Sequence, residues 1–138
     1  MQRMGYLLKE GENVAPKKVQ KVFDTLVHSI ASGIEAMKPG VRGYKVDEIV
    51  RGEIRKVYDR DYPHATGHPV GHEVHGAGAL ISMRGSKRAH LKLVESGVYT
   101  LEPRVDIPNG GSIEEMIEVT KTGGVPLCPL QTEIYLIK

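Results

Sequence analysis

Between Val19 and Met37 the apolar residues fall at Val19, Val22, Phe23, Leu26, Val27, Ile30, Ile34 and Met37. That spacing keeps one face of a helix apolar throughout, and with Pro16 in the first turn the helix runs for about six turns at 3.6 residues each. Lys38-Pro39-Gly40 stops it with a cation in the last turn followed by two helix breakers. A second helix is predicted from about Val46 to Tyr58, burying Val46, Ile49, Val50, Ile54 and Val57. From Asp61 the pattern changes. Pro63, Gly67, Pro69, Gly71, Gly76 and Gly78 forbid a regular helix, and strand-like runs follow at 97–101, 104–107, 113–120 and 133–137. A short β-like run at Arg3–Leu8 precedes the first helix. One strand, two helices and then a mostly antiparallel sheet predict an α+β domain. No repeat or linker divides the 138 residues, which suffice for one domain with its own core.

Composition excludes several kinds of partner. Nineteen basic and seventeen acidic residues leave a net charge of +2, too little to hold a polyanion. With one Phe, six Tyr and no Trp, a base-stacking surface is a poor prospect, so no nucleic-acid partner is expected. Cys128 is the only cysteine, which rules out an internal disulfide and any multi-cysteine metal cluster. No apolar run approaches membrane-spanning length, and Met1-Gln2-Arg3 leads into no signal-peptide core. The expectation is a cytoplasmic protein without a membrane partner.

The glycine-rich segment carries His64, His68, His72 and His75. Imidazoles so concentrated suit ligation, proton transfer or anion binding, although a solvated loop is an even alternative for this segment alone. Glu102 and Glu114 each follow an apolar residue within a predicted strand. One histidine and two carboxylates on rigid strands make a mixed nitrogen and oxygen ligand set, suited to zinc, manganese, cobalt or iron. For either glutamate by itself, an outward-facing solvated acid is the commoner outcome.

Thr66-Gly67-His68-Pro69-Val70-Gly71 with Val74-His75, then Tyr99-Thr100-Leu101-Glu102-Pro103, then Ile113-Glu114-Glu115 with Val119-Thr120, resemble the ordered motifs of one superfamily. It comprises the Xaa-Pro dipeptidases (prolidases), the Xaa-Pro aminopeptidases and the methionine aminopeptidases. The helix ending in Met37-Lys38-Pro39-Gly40-Val41 is similar to the one preceding the second half of that family's catalytic domain. The resemblance spans essentially the whole chain and implies the C-terminal part of a pita-bread fold, whose two-metal centre is held by two Asp, one His and two Glu. It implies His68 as the histidine ligand, Glu102 as a terminal ligand and proton shuttle, and Glu114 as the bridging ligand, with His64 and His75 as catalytic histidines that bind substrate and stabilise the transition state. The implied cofactor is a divalent metal (manganese, cobalt or zinc), and the implied reaction is hydrolysis of an N-terminal peptide bond, often before proline.

The chain also departs from that pattern. Both aspartate ligands would fall before Met1, and neither Asp47 nor Asp59 lies in a matching motif. Pro69 replaces a usual glycine, Arg104 stands where glycine usually follows the glutamate-proline pair, and Ser112 replaces a frequent arginine. Arg104 shares a strand face with Glu102, where it either pairs with the carboxylates or points outward. An incomplete ligand set predicts one ion or none and weak or absent activity in the chain alone. The alternatives are a non-catalytic protein-interaction module on the same fold, or a fragment complemented by a separate half. The small remainder of the first half predicts an uncovered sheet edge and a homodimer.

Register offers an internal test. A two-residue Asn109-Gly110 turn would oppose Glu102 to Ile117 and send the two glutamates to opposite faces. A three-residue loop, Asn109–Gly111, opposes Glu102 to Glu118 and Glu114 to Asp106. That register, or an equivalent bulge, is the predicted one because it puts Glu102, Arg104, Asp106 and Glu114 on one face.

Overall fold

A computed structural model describes residues 1–138. The chain runs through β1 (Gly5–Leu7), α1 (Lys17–Ala36), α2 (Gly43–Tyr58), β2 (Pro69–Val70), a 3₁₀ turn at Lys87–His90, β3 (Val98–Leu101), β4 (Arg104–Val105), β5 (Gly111–Ser112), β6 (Glu115–Val119), β7 (Gly124–Pro126) and β8 (Tyr135–Ile137). The main sheet has the order β2-β3-β6-β7 and is antiparallel throughout. β4 and β5 form an antiparallel ribbon, and β1 pairs in parallel with β8. This is the α+β arrangement expected, with β2, β5 and β7 as additions that the pattern did not reveal.

Pro16 stands just before α1 rather than in its first turn. Its carbonyl accepts the N–H groups of Val19 and Gln20, while its missing N–H costs nothing there. α1 buries Val19, Val22, Phe23, Leu26 and Ile30, and ends at Met37 as predicted. At Gly33 a β-carbon would lie 2.7 Å from Val50 and 3.0 Å from Leu101, so this glycine sets the close approach of α1 to α2 and β3. α2 begins three residues earlier than predicted, at Gly43, where a β-carbon would meet the Leu80 carbonyl oxygen at 2.1 Å. Its buried face also differs. Ile49 and Val57 are 39% and 40% exposed, whereas Asp47 and Arg51 are each 1% exposed beside Val46, Val50 and Ile54. The expected apolar stripe is therefore rotated to take in an i,i+4 ion pair.

The strand predicted at 113–120 is broken at Ile113-Glu114, because Glu114 exchanges backbone hydrogen bonds with Gln2 in the segment before β1. That segment is held by a buried side chain. Gln131 accepts the Met4 N–H at 2.7 Å and donates to the Met4 carbonyl at 2.6 Å.

The turn between β4 and β5 corrects the predicted register. Leu101 pairs with Glu115, Val98 with Glu118 and Arg104 with Ser112, so Glu102 stands opposite Glu114 rather than Glu118. Pro108 and Asn109 occupy the middle of the turn, closed by the Gly110 N–H on the Ile107 carbonyl at 2.9 Å. Asn109 takes a φ of 61°, the left-handed conformation needed after proline in a type II turn. The loop has an odd number of residues as predicted, so both glutamates share a side of the ladder. Its centre lies nearer Pro108, which shifts the pairing by four residues.

Candidate active site

His68 lies on the segment leading into β2, and both its backbone and its ring are fixed. Gly67 exchanges backbone hydrogen bonds with Ile81, and the His68 carbonyl accepts the Thr100 N–H at 2.9 Å. The His68 N–H donates to the Thr100 hydroxyl at 3.0 Å. A β-carbon at Gly67 would sit 1.9 Å from the Thr100 carbonyl oxygen, so only glycine permits this approach to β3. His68 Nδ1 lies 3.2 Å from the Pro69 carbonyl. A carbonyl only accepts, so Nδ1 carries the proton and Nε2 presents its lone pair to the site. That Nε2 is 3.6 Å from Glu102 Oε1.

Glu102 follows β3 directly, with its N–H on the Thr66 carbonyl at 2.7 Å. The ligand atoms of His68, Glu102 and Glu114 all lie within 4.8 Å of one another. Burial raises the Glu102 carboxyl above the ordinary glutamate range; the Glu114 charge adds to this and His68 opposes it. Adjacent Glu115 points to the other side, buried and paired with Arg3. Glu114 also takes the Met1 amine at 3.3 Å.

His68 and Glu102 line a cleft of about 480 Å³ with His64, His75, Gln2, Arg104 and Ser112. His75 packs on His68 with ring centroids 4.4 Å apart, and His64 packs on Tyr62 at 4.9 Å. His72 lies outside the cleft on an exposed loop. Of the face predicted from register, Glu102 and Arg104 line the cleft. Asp106 stands beside Arg104, to which it bonds at 3.1 Å.

The sequence pattern missed what holds the irregular segment before His68. Arg51 is buried in α2 with its Nε on both Asp47 oxygens, at 2.9 and 3.0 Å. Its Nη1 donates to Asp61 and to the Tyr62 carbonyl at 2.8 Å, and its Nη2 to the His64 carbonyl at 2.6 Å. The Thr66 hydroxyl donates to Asp47 and so accepts from the Tyr62 phenol, which burial keeps protonated. Asp47, unassigned in sequence, is thus a partner of Arg51, and Asp59 is the exposed residue that ends α2 at a φ of 46°. The one signal available was an Asp and an Arg spaced i,i+4 on the inward side of a helix.

The sequence profile of metallopeptidase family M24 matches residues 5–121. The chain belongs to metallopeptidase family M24. Bacillus subtilis YkvY is 33% identical over 129 residues, covering 91% of this chain and 34% of YkvY. A Pyrococcus horikoshii Xaa-Pro dipeptidase is 31% identical over 121 residues, covering 86% of this chain and 33% of that protein. Among solved structures, the X-Pro aminopeptidase of Thermotoga maritima superposes with a TM-score of 0.79 at 29% identity, covering 90% of this chain and 35% of that one. The M24 chain therefore has the pita-bread architecture, and it spans about a third of the length of the curated relatives it matches. None of its helices is long and apolar enough to cross a membrane.

Proposed function

We propose that this chain is the C-terminal part of an M24 catalytic domain that hydrolyses N-terminal peptide bonds of short peptides, Xaa-Pro dipeptides among them. The observation that carries the reading is the convergence of His68 Nε2, Glu102 and Glu114 within 4.8 Å of one another, beside a cleft that His68 and Glu102 line, with the opposite His68 nitrogen committed to Pro69. The donor set fits a divalent ion such as manganese, cobalt or zinc, since three protein ligands and an open position make a competent site. When bound, the ion lowers the pKa of water and polarises the substrate carbonyl.

The chain's own residues supply the remainder. Glu102, partly shielded from water and raised in pKa, takes up a proton from the attacking water and passes it to the departing amine. His64 and His75, on the cleft wall, donate hydrogen bonds to the carbonyl oxygen as charge builds on it. The three ligands His68, Glu102 and Glu114 suffice to hold one ion. We also read the protein as a cytoplasmic homodimer. The exposed apolar strand β8, with Tyr135, Leu136 and Ile137 all uncovered, is the edge a second copy would meet.

Calorimetry with manganese, cobalt and zinc, followed by an Xaa-Pro hydrolysis assay, tests the reading. One equivalent of metal lost in His68→Ala is the expected result. Failure of the wild type to bind any of the three ions would overturn it. Light scattering at micromolar concentration tests the dimer, against which a monomer would count.

A further inference from the structure

Cations gather where the N-terminal end of α2 meets the 3₁₀ turn Lys87–His90. Gly43 donates its N–H to the Leu91 carbonyl at 3.2 Å, Leu93 donates to the Val41 carbonyl at 2.8 Å, and Arg42 pairs with Lys92 in an isolated antiparallel bridge. Ala89 and Leu93 are buried beneath this junction. Tyr44 draws three more groups to it: the Arg84 guanidinium lies 4.3 Å from its ring centre, Lys45 Nζ 5.5 Å and the His90 ring 5.1 Å. Arg42, Lys45, Arg84, Lys87, Arg88 and Lys92 are all exposed here, and Glu48 is the one acidic side chain that pairs with any of them. Six lysines and arginines against one glutamate leave five positive charges on a chain of net +2, so the rest of the molecule is net acidic. The whole-chain charge averages this asymmetry away, which is why composition pointed away from an anionic partner.

We propose that this surface attaches the protein reversibly to an anionic lipid membrane. Met83 and Leu91, next in the chain to Arg84 and Lys92, are each about half exposed. Apolar side chains set among lysines and arginines enter the headgroup boundary while the cations stay at the phosphates. Other polyanions fit less well. Tyr44, the one tyrosine at the junction, is 8% exposed and lies against Arg84 and His90, so it offers no face for stacking bases. A nucleic acid bound through its phosphates would also leave Met83 and Leu91 in water. None of the molecule's five main clefts is lined by any of the six cations, so the junction suits a broad anionic surface rather than a compact ligand. Attachment of this kind needs no membrane-spanning helix.

The test sediments the full chain with vesicles of phosphatidylcholine alone, and of phosphatidylcholine and phosphatidylglycerol in equal parts. Binding to the anionic vesicles only is expected, and it should be lost at about 1 M salt, where the screening length falls to about 3 Å. Lys87→Gln/Lys92→Gln should weaken binding about twentyfold, at about fivefold for each cation removed. Leu91→Ser should weaken it about fivefold through lost apolar contact. Both variants change exposed side chains, so their circular dichroism should match wild type. Absent binding of wild type to the anionic vesicles, or equal binding to the two kinds, would overturn the inference. So would either variant binding as wild type does. Complete displacement from the vesicles by a polyuridine oligonucleotide supplying an equal concentration of phosphate groups would also overturn it, and would assign the surface to nucleic acid.

Discussion

The buried Arg51 gives the strongest quantitative prediction. Its side chain is 1% exposed and that of Asp47 is 2% exposed, so neither can turn to water if the other is removed. Arg51→Met keeps the length and apolar stem but deletes donors to five acceptor atoms: two on Asp47, one on Asp61, and the carbonyls of Tyr62 and His64. Asp47 would keep only the Thr66 hydroxyl among these partners. Removing one member of a buried pair costs about 3–5 kcal/mol, because the remaining charge is uncompensated. A domain of this kind has about 5–15 kcal/mol in total, so the loss is a large share. Urea unfolding followed by circular dichroism should show it as a drop in midpoint at constant slope. The double variant Asp47→Leu/Arg51→Met removes both charges and should lose less than the sum of the single variants, with a coupling of about 2–3 kcal/mol. A loss below about 1 kcal/mol in Arg51→Met, or strict additivity in the double variant, would refute the account of this network as a buried charge pair.

Gly67→Ala places a methyl group against the backbone oxygen of Thr100, which cannot rotate away. It should cost about 2 kcal/mol or more, in the upper range for overpacking, and thermal melts should show this beside weakened metal binding. Glu114→Gln should leave the thermal midpoint of the metal-free chain nearly unchanged while lowering metal affinity at least tenfold by calorimetry. An unaltered affinity would remove Glu114 from the ligand set. Asp61 supplies the pH test. Burial alone would raise its carboxyl, but hydrogen bonds from Arg55 and Arg51 outweigh it and hold the pKa below the ordinary aspartate range. A pKa lower in the folded than in the unfolded state gives stability that is complete above an ordinary value of about 3.9 and is lost as pH falls through the depressed one. Wild type should therefore lose more stability than Asp61→Asn between pH 5 and 2, on the order of the usual acid-unfolding window, and parallel curves would show that the arginine contacts are not formed.

Local periodicity determined the helices. The spacing of Val22, Phe23, Leu26 and Ile30 admits one helical face, and Lys38-Pro39-Gly40 admits one end, because both depend on neighbours a few residues apart. The three motifs likewise carried His68, Glu102 and Glu114 in order, and the requirement that two glutamates share a face gave the correct parity of the turn. Other features depended on partners far away in the chain. The true register was set by the Pro108-Asn109 turn together with the pairing of Glu114 to Gln2, more than a hundred residues distant. α2 turns inward the face that carries Arg51, which Asp47, Asp61 and two carbonyls of a later loop hold, and leaves Ile49 and Val57 exposed. Hydrophobic patterning measures transfer from water and takes no account of a charge whose donors are all satisfied inside. The side-chain types of the candidate site were written in the sequence; their convergence within 4.8 Å of one another came from long-range backbone pairing and a buried arginine, which only the tertiary structure decided.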